Sequence, residues 1–108
     1  MLFRSTSVCS GSAILAKAGL LDGQRATCNK MMFDMLITNG PKVNWVSKAR
    51  WVEDGKMITS SGVSAGIDMS LRIIEILWGT QMAEGIAEGT EYIWNRDPNN
   101  DPFAKKQD

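Results

Sequence analysis

A chain of 108 residues is long enough for one small domain or part of one. Twelve basic and twelve acidic residues cancel, which leaves no electrostatic footprint for nucleic acid or an anionic membrane as partner. Histidine is absent, which excludes a Ser-His-Asp triad, a Cys-His dyad and any His-ligated metal built from this chain alone.

The predicted elements run as follows. Phe3 to Val8 carries β-branched Thr6 and Val8 and reads as a short strand, although it is more polar than a buried central strand should be. Cys9-Ser10-Gly11-Ser12 is a tight turn, and Ala13 to Ala18 a short helix that stops at Gly19. Leu20 to Gln24 is a connection with Asp-Gly as its turn signal, and Arg25 to Cys28 a short strand. Lys30 to Thr38 has helical spacing, with Met31, Met32, Phe33 and Met35 as a packed face, and Asn39-Gly40-Pro41 ends it.

Val43 to Val46 alternates as a strand. Arg50-Trp51-Val52 and Lys56 to Thr59 flank Glu53-Asp54-Gly55 as a hairpin. Ser60 to Gly66 is a loop of small residues that feeds a helix with Ile67, Leu71, Ile74 and Leu77 near helical period. Gly79 interrupts, and Thr80 is positioned to cap a second helix from Gln81 to about Glu91. The tail, residues 95–108, is rich in Asp, Asn, Pro and Lys and reads as an extended surface segment. Strands alternating with helices predict an α/β architecture. A parallel sheet needs several strands covered on both faces, so these few short ones read as part of a larger sheet.

No apolar run approaches the roughly 20 residues of a membrane span, and residues 1–6 are too short and polar for a secretory signal. A cytoplasmic protein is expected. The two cysteines, Cys9 and Cys28, form neither a disulfide framework nor a metal-ligand pattern, so thiols without metal or other cofactor are expected.

Cys9 stands between a predicted strand and a predicted helix among small residues, the pattern of a nucleophile elbow. A sharp turn exposes the sulfur, and the following helix aims the positive end of its dipole at it, which favours a thiolate. Ser10 offers a backbone N–H, and a hydroxyl, to a developing anion. The alternative is a buried inert thiol. Asp68 reads as a carboxylate at a helix start. Trp45, Trp51, Trp78 and Trp94 read as core or interface residues. Cys28 is a resolving thiol for Cys9 only if their Cα atoms lie within about 7 Å.

The blocks Ser7-Val8-Cys9-Ser10-Gly11-Ser12, Ala18 to Gly23, Arg25-Ala26-Thr27, Ile58 to Met69, Glu91 to Asn95 and Asp101 to Ala104 closely resemble the DJ-1/PfpI family. The branch most similar contains isonitrile hydratases and the amidase-like domains of AraC-type regulators. The resemblance implies a flavodoxin-like, class I glutamine amidotransferase-like α/β sandwich, present here as one partial domain truncated at the amino terminus. The absent half would supply the first parallel strands and an acidic residue that contacts the cysteine. The resemblance makes Cys9 the nucleophile with hydroxyl-bearing Ser10 beside it, and makes Gly11, Asn29, Gly62 and Val63 candidates for the substrate or oxyanion loops. Asn29 stands where many bacterial relatives carry a histidine, and fungal relatives often carry Asn-Lys. The implied reaction is cysteine-dependent hydration of a carbon–nitrogen multiple bond in a small-molecule substrate, within a homodimer. The alternative is a non-catalytic or redox-sensing module that dimerises, or a truncated gene product.

Overall fold

The computed structural model describes residues 5–104. Phe3 and Arg4 of the first predicted strand, and Lys105-Lys106 of the tail, lie outside them. The elements are β1 (Ser5–Val8), α1 (Gly11–Lys17), β2 (Arg25–Ala26), α2 (Phe33–Leu36) continued by a 3-10 turn at Ile37–Asn39, β3 (Asn44–Trp45), β4 (Trp51–Asp54), β5 (Met57–Ser60), α3 (Val63–Trp78) and α4 (Thr80–Gly89).

One sheet has the order β1-β5-β4, and β2 with β3 forms a separate two-stranded sheet. β1 runs parallel to β5, with Val8 opposite Ser60. β4 and β5 are the predicted antiparallel hairpin, and Asp54 pairs with Met57 across Gly55-Lys56. Gly55 takes φ 60°, the left-handed conformation that a two-residue hairpin turn demands. β2 and β3 are parallel, as Arg25 opposite Asn44 and Ala26 opposite Trp45.

Helix α3 covers the β1-β5-β4 sheet with Ala65 and Met69, buried one turn apart on the same face. Met69 packs on Trp51 and Ile58, with Ile73 and Ile76 at the margin. Each large apolar side chain buried there contributes about 1.5–3 kcal/mol. Against β1 the approach is closer still: a Cβ on Gly66 would lie 2.8 Å from a Val8 methyl. Gly79, at φ 99°, ends α3 and donates its N–H to the Glu75 carbonyl. Two smaller clusters hold the rest: Ala16, Leu21, Ala26, Val43 and Met57 in one, and Cys28, Phe33 and Leu36 in the other.

The polarity of β1 does not keep it out of the sheet. Ser7 is buried, and its hydroxyl is bonded to that of Ser12 at 2.7 Å. β2 stops at Ala26 because the Thr27 N–H donates instead to Thr59 Oγ1 at 2.9 Å.

The predicted helix from Lys30 shrinks to α2. Asn29 Oδ1 accepts the Met32 N–H, and Thr38 Oγ1 and Asn39 Nδ2 donate to the carbonyls of Met35 and Leu36. Its methionines are not a packed face: Phe33 and Leu36 are buried, whereas Met31 and Met35 are exposed.

Helix α3 begins at Val63, inside the predicted small-residue loop, and Asp68 lies in its second turn, not at its start. Thr80 is the first residue of α4 and not its cap; its hydroxyl donates to Glu75 Oε2. Trp51 is core, but Trp78 is exposed.

The tail is the largest departure from expectation. Residues 95–104 fold back on the body through successive Asx turns, in which the N–H groups of Asp97, Asn99 and Phe103 donate to the side chains of Asn95, Asp97 and Asp101. The Arg50 N–H donates to the Pro98 carbonyl at 2.6 Å, the Asn95 N–H donates to Asp68 Oδ1 at 2.8 Å, and Asp101 is buried. Composition rich in Asp and Asn here makes turns, not a solvated extension.

Candidate functional site

Cys9 leaves β1 at φ 61°, a left-handed conformation that costs a non-glycine residue on the order of 1–3 kcal/mol. The backbone around it holds it there. Its N–H faces the carbonyls of Ser60 at 3.2 Å and Ser61 at 2.7 Å, and its carbonyl accepts the Asn29 N–H at 3.1 Å. The predicted elbow is present, with Ser10 as the residue before α1 and Gly11 as its first residue. Gly11 is close to Ser7: a Cβ there would lie 3.5 Å from the serine's own.

Beneath the elbow lies a layer of buried hydroxyls. Ser12 Oγ donates to the Thr27 carbonyl at 2.7 Å, and Ser60 Oγ donates to the Ser7 carbonyl at 3.3 Å. Together with the Ser7–Ser12 and Thr27–Thr59 bonds, this layer joins β1, α1, β5 and the segment after β2. Directional bonds of this kind set the position of the turn that carries the sulfur.

Asn29 reaches that sulfur. Its Nδ2 donates to Cys9 Sγ at 3.2 Å. The amide orientation follows from the other end, because Oδ1 accepts the Met32 N–H at 3.1 Å. Gly62 is alongside, where a Cβ would lie 3.9 Å from Asn29 Nδ2. Cys9, Asn29 and Gly62 therefore meet. Ser10 is exposed and its side chain makes no capping bond, and Val63, the first residue of α3, is exposed as well. A cavity of about 150 Å³ adjoins the elbow, lined by Ser61, Gly62, Val63, Arg50, Asp101 and Phe103 among others. A larger cavity, about 490 Å³, lies instead around Trp51, Arg72 and Arg96, and includes none of the residues that touch Cys9.

Cys28 is fully buried, and burial pushes its thiol up from 9.0 to about 11. That makes it a poor resolving thiol, since thiolate is the form that exchanges.

Two buried ion pairs escape the sequence reading. Arg50 Nη2 pairs with Asp68 Oδ2, and Lys30 Nζ lies 3.1 Å from Asp101 Oδ2. The second contact is a charge pair without hydrogen-bond alignment: among the described residues Oδ2 has no aligned donor. Lys30 Nζ also donates to Thr27 Oγ1, the Cys28 carbonyl and the Ala49 carbonyl. Burial lowers the Lys30 ammonium below its ordinary range, against the pull of Asp101. The one sequence signal for either pair is Asp68 itself, a charge between Ala65 and Met69 on the apolar face of α3.

The DJ-1/PfpI family model matches residues 4–76. The chain belongs to the DJ-1/PfpI family. It is 41% identical over 87 residues to an isonitrile hydratase of Pseudomonas putida, covering 81% of this chain and 37% of that protein. A crystal structure of a ThiJ/PfpI family protein from Pseudomonas syringae superposes with a TM-score of 0.71 at 40% identity, over 83% of this chain and 36% of that one. Drosophila melanogaster DJ-1beta superposes with a TM-score of 0.71 at 26% identity, over 82% of this chain and 46% of the other. The chain thus spans under half the length of each. The match to the DJ-1/PfpI model takes in the elbow, Asn29 and most of α3, and it ends before α4 and the folded-back tail. Among the described residues no helix is long and apolar enough to cross a membrane.

Proposed function

We propose that Cys9 is the nucleophile of a hydratase-like site that adds water to a carbon–nitrogen multiple bond, as in conversion of an isonitrile to an N-substituted formamide. The observation that carries this reading is the left-handed Cys9 with an amide donor, Asn29 Nδ2, on its sulfur. The identity to an isonitrile hydratase supports the choice of reaction.

In this reading the thiol adds across the terminal carbon of R–N≡C. The S–C bond forms, the S–H bond breaks, and the proton goes to that carbon, giving a thioimidate. Water then adds to the same carbon, the C–S bond breaks, nitrogen takes one proton of the water and sulfur regains the other. The product is R–NH–CHO. The Asn29 amide stabilises negative charge on sulfur as it attacks and leaves, and backbone N–H groups of the Ser10 turn and the Gly62-Val63 segment face charge on the substrate. No histidine within this sequence takes part, since it holds none.

We further propose that the working form is a homodimer. Val8, Ile14 and Ile67 are exposed near the elbow, and β1 has a strand on one side only among the described residues. The test is turnover of a small isonitrile by the purified chain and by Cys9→Ala, with size-exclusion chromatography alongside. The expected result is formamide from a dimer of the wild type and none from the variant. A folded, monodisperse wild type without turnover would sink the hydratase reading and favour a sensing or interaction role.

A further inference from the structure

We propose that the folded-back tail is a clamp on the thiol site: Asp101 holds the Lys30 ammonium inside the molecule, and Lys30 in turn keeps Asn29 against Cys9. Lys30 and Asp101 are positioning residues; neither contacts the sulfur in the bonds described. The inference rests on the reading above only in taking Cys9 as the reacting group.

The side chains of Lys30 and Asp101 are each 3% exposed, and the charges lie 3.1 Å apart. An ammonium taken out of water at this depth stays charged only if a counter-charge accompanies it. Among the described residues every other hydrogen-bond partner of Lys30 Nζ is neutral: Thr27 Oγ1 at 2.7 Å, the Cys28 carbonyl at 3.2 Å and the Ala49 carbonyl at 2.8 Å. Asp101 therefore supplies the counter-charge, from a segment 71 positions along the chain.

Asn29 is the next residue before Lys30, and the segment that carries both is irregular, with no helix or strand ladder to hold it. The Asn29 backbone is tied to the Cys9 carbonyl and its side chain to the Cys9 sulfur. Without the Asp101 carboxylate, the favoured path for the ammonium is outward to solvent. That movement draws the adjoining peptide with it and takes the Asn29 amide off the sulfur. The tail is itself secured at two further points, Pro98 to Arg50 and Asn95 to Asp68, so the carboxylate arrives in a defined place. Asp101 and Phe103 also line the cavity beside Gly62. The tail lies outside residues 4–76, the stretch that the family model matches.

The test is the rate of iodoacetamide alkylation at each cysteine, read by mass spectrometry across a range of pH in the wild type, Asp101→Asn, Asn29→Ala and the double variant. Cys28 is the internal control, because it is fully buried and reacts only when the fold opens. With Cys28 protected, Asp101→Asn is expected to slow Cys9 about tenfold, the effect of one lost hydrogen bond to a charged group. Its pH profile should follow that of Asn29→Ala, and the double variant should be no slower than Asn29→Ala alone. Rates for Asp101→Asn within about twofold of wild type, or effects that simply multiply in the double variant, overturn the clamp. If Asp101→Asn exposes Cys28, the same two outcomes are read for that variant in a stabilising osmolyte that restores the protection of Cys28, and Asp101→Glu, which keeps the charge, should then stay near the wild-type rate. Alkylation needs no isonitrile, so failure here is separate from failure of the hydratase reading.

Discussion

The hairpin with α3 and the elbow with its surroundings are neighbours built on opposite physics. In the first, Trp51, Ile58 and Met69 pack together and the stabilisation is apolar area removed from water. In the second, the buried side chains are Ser7, Ser12, Thr27 and Ser60, and the stabilisation is a set of directional bonds. Apolar burial tolerates small shifts, because the energy follows area and not direction. Hydroxyl bonds do not, because a buried donor left unpaired costs about 1–3 kcal/mol. The region that carries the Cys9 sulfur is the one built from hydroxyls. The two meet where Gly66 of α3 lies on Val8 of β1.

The contrast breaks most sharply at Asp68, a buried charge on the apolar face of α3. Asp68→Ala strands Arg50 and frees the Asn95 N–H, and should lower stability by about 3–5 kcal/mol, seen as a fall in the urea midpoint. A loss under about 1 kcal/mol would mean that water reaches Arg50 and that this region is looser than its packing implies.

Alkaline pH probes the apolar cluster of Cys28, Phe33 and Leu36. Its folded thiol is raised from 9.0 to about 11, so the native state keeps a proton that the unfolded chain gives up. The stability it contributes is whole below pH 9 and is lost as pH rises through about 11. Cys28→Ala should remove that part of the alkaline loss, on the order of 2 kcal/mol, when urea midpoints at pH 8 and pH 11 are compared. An identical fall in wild type and variant would assign the alkaline loss to other groups.

The smallest effect is at the elbow. Cys9→Gly removes the thiol and relieves a left-handed residue, so it should raise stability by about 1 kcal/mol while abolishing alkylation at that position. Cys9→Ala keeps the backbone conformation and should show no such gain. Equal stabilities for the two variants would mean that the turn relaxes without strain.

Much of the frame is legible in the chain alone. The Asp-Gly signal between β-branched runs predicts the β4–β5 hairpin, and the apolar period after Gly62 predicts α3. Small residues around Cys9 predict the elbow, whose geometry is local. Less legible is Asn29, which the family resemblance marks as a site candidate without telling that its amide is aimed at sulfur. The Lys30–Asp101 pair is not legible at all, because nothing local distinguishes a buried lysine or a buried tail aspartate from solvated ones.

The sequence by itself determined the α/β order of elements, the hairpin, the elbow and the family, since each depends on residues within a few positions of one another or on ordered motifs. Tertiary structure alone decided which polar groups go inside: the hydroxyl layer under Cys9, the Arg50–Asp68 pair and the tail that brings Asp101 to Lys30. The reason is that burying a charge or a hydroxyl is favourable only when its partner is already in place, and those partners come from distant parts of the chain.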